Sequence, residues 1–388
     1  MPTASAPTMT DWMSDERKAF VEAIRDFCKR ELGTREQRSV ATQNYTEAHS
    51  AEIYSKLAEL GWLGASIAEE YGGSGGSIVD ACLFLEETSR GMVPMSGFPV
   101  SLIVAGAYER FGTEEQKAEI LGGIGDGRVE AIAMSEPEAG SDVGNLQCRA
   151  ERQNGGFVLN GQKTWISAAH LADHILVVAR TGRDGSKHEG LSMFSVPTDS
   201  EGLEVSGIET MGGKEVNDVF LTDCHVPEER VLGQVDGGWM QLMAGLNVER
   251  LITAATILGL GQRAFDDVLA YVKERKQFDR PIGSFQTIRH RLADLATELE
   301  CTRLLVYDVA RKTEAAPDQM LPREASMVKL KATEVAKKTA LEGMQMMGGY
   351  GYSTEYDMER LVRMTLVSTI YAGTSEIQRE IISKTYGL

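Results

Sequence analysis

The apolar positions change period twice along the chain, dividing it into three regions. From residue 14 to about 128 they recur every three to four residues, the spacing of helices with one buried face. Phe20, Ile24, Phe27 and Leu32 follow Ser14, a good N-cap, with Asp15 and Glu16 in the first turn where the helix dipole favours negative charge. Ile53, Leu57 and Leu60 predict a second helix stopping at Gly61, and the glycines at 72–76 predict a loop. Helices are also predicted over 78–88 and 100–111, and Thr113 with Gln116 has capping-box spacing for another.

Between about 129 and 238 the runs become short, apolar or alternating, as at 174–179, 192–196 and 219–226. Gly, Asp, Asn and Pro separate them, which predicts strands of a mostly antiparallel small barrel or sandwich. Asn160-Gly161, flanked by Phe157-Val-Leu and Lys163-Thr-Trp-Ile, carries the signal of a type I′ hairpin. From Trp239 onward long helical spacing returns, over 241–276 and 284–313, the latter with Ile288, Leu292, Leu295 and Leu299 on one face. Pro322 opens a third helix that stops at Gly348-Gly349, another segment follows from Thr354, and Ser375 is placed to cap the last one. The predicted fold is mainly α with a central β domain: a helical domain over 1–128, a β barrel or sandwich over 129–238, and a four-helix-type bundle over 239–388.

Composition adds exclusions. A chain of 388 residues has room for two or three domains. A formal net charge of −17 argues against nucleic acid and against an anionic membrane surface, and solubility is its simplest meaning. The longest apolar stretch, 251–260, is far short of a membrane span. Five cysteines without a CxxC read as buried thiols, and six histidines without a ligand pattern give no reason to expect a metal. The first twelve residues contain neither an apolar core nor an Arg, so the expectation is a cytoplasmic protein without a presequence.

The stretch most suggestive of chemistry runs from Ala131 to Ser167. Its turn, Ser135-Glu136-Pro137-Glu138-Ala139-Gly140-Ser141-Asp142, cannot continue a helix or strand and exposes backbone donors and hydroxyls beside Trp165. On these residues alone it is a seat for a flat polar cofactor or, equally, an ordinary exposed turn.

Three motifs in order across the whole chain resemble the acyl-CoA dehydrogenase family. They are the turn above followed by Asn160-Gly-x-Lys163-x-Trp165-Ile-Ser167, then Gln345-Met-Met-Gly348-Gly349-Tyr-Gly351-Tyr, and Tyr371-Ala372-Gly373-Thr374-Ser375-Glu376. The resemblance implies the helical–β–helical architecture, bound FAD, and removal of a Cα proton and a Cβ hydride from an acyl-CoA, leaving the trans-2-enoyl product. Flavin N5 takes the hydride, and the electrons pass to electron-transferring flavoprotein. It also implies a homotetramer, a dimer of dimers, because the family's cofactor bridges subunits.

Residue by residue, Ile132, Met134, Ser135, Gly140 and Ser141, with Trp165, Ile166 and Ser167, fall where the family lines the isoalloxazine. Arg275, Phe278 and Gln286, with Gln345, Met346, Gly348 and Gly349, match positions that hold the neighbouring subunit's adenosine diphosphate, and Thr374 and Glu376 complete the flavin site. Ser141, Asn247, Arg250, Tyr371 and Gly373 match substrate-side positions, with Asn247 replacing a common Asp. Many relatives carry the catalytic base where this chain has Ala372, whose backbone N–H still matches the donor to the thioester oxygen. The isovaleryl and long-chain types carry the base on the first long C-terminal helix, just before an Arg, and this chain has Glu249-Arg250 there. A surface carboxylate is the commoner fate of Glu, but Leu246, Val248, Leu251 and Ile252 surround this one with apolar side chains. Glu249 is therefore the expected base, Glu376 a helix-dipole residue, and Glu136 and Glu138 turn carboxylates. Arg363-Met364 replaces the family's Arg-Asp, removing a local ion pair. Rival readings on the same fold are a flavin oxidase or monooxygenase, and a non-catalytic subunit of a hetero-oligomer.

Overall fold

The structure, a computed structural model, describes residues 13–182 and 186–388. The expectation that no presequence is present concerns the first twelve residues and lies outside the described residues.

Six helices form the N-terminal layer: α1 (Asp15–Leu32), α2 (Arg35–Ala41), α3 (Ala51–Glu59), α4 (Ile78–Arg90), α5 (Gly97–Phe111) and α6 (Glu114–Gly125). Ser14 caps α1 through Arg17 N–H, and Thr113 and Gln116 form the predicted capping box of α6. α2, which the apolar spacing does not mark, opens with a second capping box, Thr34 with Gln37. Leu60 departs from expectation. α3 ends at Glu59, so Leu60 swings out to solvent and Tyr54 joins Ile53 and Leu57 in the core.

The middle layer is one eight-stranded sheet: β1 (Glu130–Ala133), β2 (Arg149–Gln153), β3 (Gly156–Ser167), β4 (His174–Arg180), β5 (Leu191–Pro197), β6 (Leu203–Thr210), β7 (Gly213–Pro227) and β8 (Val231–Leu232). The order is β6-β7-β3-β2-β4-β5-β8, antiparallel except that β1 and β2 each run parallel to β4. The predicted hairpin turn is in the wrong place. β3 passes straight through Asn160-Gly161, and the turn is Asn154-Gly155, with φ 52° and 76°, joining β2 to β3. Two Asn-Gly pairs compete for one turn, and the loser becomes a bulge, where a Cβ on Gly161 would lie 2.8 Å from the Cys148 Cα.

The C-terminal layer contains α7 (Gly238–Glu274), a small hairpin of β9 (Lys276–Gln277) and β10 (Arg280–Pro281), α8 (Gln286–Ala315), α9 (Pro322–Met347), and the shorter α10 (Gly349–Tyr352), α11 (Met358–Val367) and α12 (Ser375–Lys384). The cap of α12 is Thr374, one residue before the predicted Ser375, its hydroxyl accepting from Ile377 N–H at 3.3 Å. Among the described residues only α7 is long and apolar enough to cross a membrane, and it is the buried central helix, packed on α9, α4 and α8. Gly259 lets α7 cross α4 closely, since a Cβ there would sit 2.1 Å from the Glu86 carbonyl oxygen. At the same crossing the buried Glu86 carboxylate accepts from the Tyr307 hydroxyl at 2.6 Å and from Arg303 at 2.8 Å. Four of the cysteines are buried thiols as expected, but Cys301 is exposed.

Candidate active site

α7 carries Glu249 into the interior: it is 9 % exposed and followed by the core residues Leu251 and Ile252. Burial pushes its carboxyl above the usual range, opposed by the charge of Arg250 and then by that of Lys329. The same burial pulls Arg250 below its ordinary value. The Arg250 Nη1 donates to Asn247 Oδ1 at 3.2 Å, while its buried Nε has no acceptor among the described residues. Asn247 thus serves as a neutral partner for Arg250.

Facing α7 is a residue that the sequence analysis missed. Lys329 on α9 is 0 % exposed, and its Nζ donates to the Gly373 carbonyl at 2.8 Å. Its signal was legible: it shares a helix face with Ala325, Ala332 and Ala336, all buried, where a charge needs a partner. Ala372 and Gly373 both take left-handed backbone, φ 52° and 76°, and Gln378 Nε2 donates to both carbonyls at 2.9 Å. Among the described residues no backbone acceptor takes the Ala372 N–H. Tyr371 stands with its ring centroid 6.0 Å from the Lys329 Nζ. Glu376 is exposed in the first turn of α12, its carboxyl held below the usual range by its own backbone and Thr374.

The turn over residues 135–142 is fastened from beneath by Lys163, which the sequence analysis quoted within a motif without giving it a role. Lys163, inward-facing on β3, donates to Glu136 at 2.8 Å and to the Met134 carbonyl at 3.1 Å, and Glu136 also accepts from the Cys148 N–H at 2.8 Å. Glu136 is therefore a buried structural carboxylate. Thr164 N–H donates to the Ser135 carbonyl at 3.0 Å, setting Trp165, 60 % exposed with φ 61°, beside the turn. Ser167 pairs with Val216 across β3 and β7. Ile132, Met134 and Ser135 are half-buried here, and Gly140 and Ser141 are exposed. Ile166 is different: its side chain is in the core, and its carbonyl accepts from Asn217 Nδ2 at 3.0 Å.

The other predicted cofactor residues gather at the far end of α7. Arg275 ends the helix and lies 5.4 Å from the Tyr350 ring centroid, and Phe278 projects from the small hairpin, 87 % exposed. With Met346, Gly348 and Gly349 they line a cleft of about 750 Å³, although the Met346 side chain is mostly core. Gln345 lies in the last turn of α9 and Gln286 opens α8. Gly348 has φ 63°, and space is open beside it and Gly349, so a ligand can approach the backbone closely. An exposed ring, a guanidinium and bare glycine backbone suit an aromatic base with its phosphates. Glu249 and Arg275 are 26 residues apart on one helix, about 39 Å along its axis.

The chain matches the acyl-CoA dehydrogenase N-terminal domain over residues 14–128, the middle domain over 131–224 and the C-terminal domain over 236–387. It is 36 % identical to the mitochondrial isovaleryl-CoA dehydrogenase of Solanum tuberosum, over 95 % of this chain and 90 % of that one. The chain belongs to the acyl-CoA dehydrogenase family.

Identity is also 36 % to the CarC subunit of the caffeyl-CoA reductase–Etf complex of Acetobacterium woodii, over 96 % of this chain and 98 % of that one. Among solved structures, an acyl-CoA dehydrogenase from Geobacillus kaustophilus superposes with a TM-score of 0.90 at 32 % identity, covering 97 % of this chain and all of the other. The FAD complex of PigA superposes equally well, 0.90, at 27 % identity over 97 % of this chain and 98 % of that one. In this acyl-CoA dehydrogenase the missing Arg-Asp pair is replaced within α11, where Arg363 pairs with Glu359 at 2.7 Å and donates to the Met211 carbonyl at 2.8 Å. Three glycines of the N-terminal layer divide by the space beside them. A Cβ on Gly91 would meet the Cys28 Sγ at 2.4 Å and one on Gly97 would meet Val129 at 2.7 Å, so both serve close packing, whereas Gly106 faces open space.

Proposed function

We propose that this enzyme dehydrogenates an acyl-CoA thioester to its trans-2-enoyl form, holds FAD, and passes its electrons to electron-transferring flavoprotein. The observation that carries the reading is the Glu249 carboxylate, buried on α7 and within reach of the Lys329 charge, while Ala372 offers no carboxylate and Glu376 faces solvent. Bound FAD supplies the two-electron acceptor for the hydride leaving Cβ. Glu249 takes the Cα proton: poor solvation makes its carboxylate a stronger base than one in water. The Ala372 N–H, free of backbone acceptors among the described residues, donates to the thioester oxygen as negative charge develops there. Arg250 and Asn247 border the substrate, as do Ser141, Tyr371 and Gly373. Ser135, Trp165 and Ser167 hold one end of FAD with Thr374 and Glu376. The Arg275–Phe278 cleft holds the adenosine end of a neighbouring subunit's FAD, within a dimer-of-dimers tetramer. The separation of the two clusters along α7 supports that sharing, and the relation to a subunit of an Etf complex supports the partner.

The test is anaerobic bleaching of the FAD-loaded protein by a panel of acyl-CoA thioesters. Glu249→Gln is expected to retain FAD and to bleach about a thousandfold more slowly, within the range for removal of a general base. Bleaching at the unmodified rate would end the assignment. Rapid oxygen consumption without an added acceptor would move the reading to an oxidase.

A further inference from the structure

We propose that Lys329 is a positioning residue of this site: from α9 its ammonium holds the carbonyl of the Ala372–Gly373 turn and presents a positive charge to the Glu249 carboxylate. The proposal rests on the reading of Glu249 as the base. Its geometry does not. The Lys329 side chain is fully buried, and among the described residues its one hydrogen bond, 2.8 Å long, goes to the Gly373 carbonyl.

That carbonyl belongs to two consecutive left-handed residues, the first an alanine, a conformation that persists only where surrounding contacts impose it. Two buried donors impose it here, Lys329 from α9 and Gln378 from α12. The direction of the Ala372 N–H follows from that constraint. Gln378 shows that a neutral amide suffices to hold such a carbonyl, so the choice of a cation at a fully buried position points to a second role.

The charges acting on Lys329 identify that role. From α7 Glu249 attracts and Arg250 repels it, from α12 Glu376 attracts it, and the turn contributes the Gly373 carbonyl and the Tyr371 ring. Glu249 in turn is acted on by Arg250 and Lys329. Burial draws the ammonium down to about 8, so it is charged at neutral pH and loses its proton in mild alkali.

FAD-loaded Lys329→Met, Lys329→Gln and Lys329→Arg proteins test the proposal. Carboxyl-stretch infrared difference spectroscopy of the substrate-free protein follows the Glu249 titration, with Glu249→Gln identifying the band. In the Met and Gln variants the midpoint should rise by about one pH unit, the low end of the effect of an opposite charge at close range, and Lys329→Arg should restore it. At a pH where Glu249 is ionised in every protein, bleaching by acyl-CoA should fall about 100-fold in Lys329→Met, as expected for a misplaced donor. The fall should be smaller in Lys329→Gln, which keeps a donor for Gly373. An unmoved midpoint in both neutral variants would overturn the proposal. So would loss of FAD in all three variants, which would assign Lys329 to the fold alone. If Glu249→Gln bleaches normally while the midpoint still moves, the base assignment fails and the Lys329–Glu249 coupling stands.

Discussion

Glu249 binds its proton more tightly in the folded chain than in the unfolded one, because burial penalises its charged form. Two consequences have definite signs. Activity that needs the carboxylate should rise with pH on an acid limb above the ordinary Glu value of about 4.3, as a kcat/KM profile would show. Stability runs the other way: a carboxyl with a raised folded pKa favours folding in acid and costs stability once pH passes that folded value. Glu249→Gln should therefore melt higher than the parent at pH 8, by on the order of 2 °C, and the gain should vanish at pH 4. Calorimetry at the two pH values decides it, and a lower melting point at pH 8 would mean that Lys329 and Arg250 outweigh desolvation. Among single residues the motif-bearing ones were legible in the sequence. Lys163 was quoted within a motif but given no role, and Lys329 was passed over, since a lysine is an exposed residue by default and only its place on a buried face says otherwise.

Most elements follow from periodicity, and the misreadings are instructive. Apolar spacing located α7, α8 and α9, whose buried faces are long enough to outvote local noise. α2 escaped because seven residues give too few apolar repeats, although its capping box was present. The hairpin was assigned to the wrong Asn-Gly because both pairs have the turn chemistry, and only pairing with β7 carries β3 through Gly161. The crossing of α4 and α7 gives a prediction at this scale. Gly259→Ala forces a methyl into the Glu86 backbone and should destabilise the protein by about 1–3 kcal/mol in denaturant unfolding. Gly106→Ala, with open space on α5, should be neutral or stabilising by up to about 1 kcal/mol through helix propensity. Equal effects of the two would deny that crossing its special closeness.

For the whole molecule, the proposal that FAD is shared between subunits makes a complementation prediction. A chain with Glu249→Gln lacks the proposed base but keeps the Arg275–Phe278 cleft, whereas a chain with Arg275→Ala and Phe278→Ala has the reverse defect. Each alone should be nearly inactive, the second also through reduced FAD content at 450 nm. Co-expressed and isolated as a hybrid, they should regain roughly a quarter to a half of the parental turnover per chain, because some sites then draw two sound halves from different subunits. A hybrid no better than its parents would show that each chain binds FAD by itself.

α7 runs from Gly238 to Glu274 without a proline, so its two ends behave as points on a single threaded rod. Removing one residue between Glu249 and Arg275 would shorten the rod by about 1.5 Å and turn one end against the other by about 100°. The acid would then face a neighbouring helix, or the guanidinium would leave its cleft. Side chains along the outside of α7 are free to vary, but its count of residues is not. Across descendants of this sequence, insertions and deletions should accumulate in the connecting loops and spare this span.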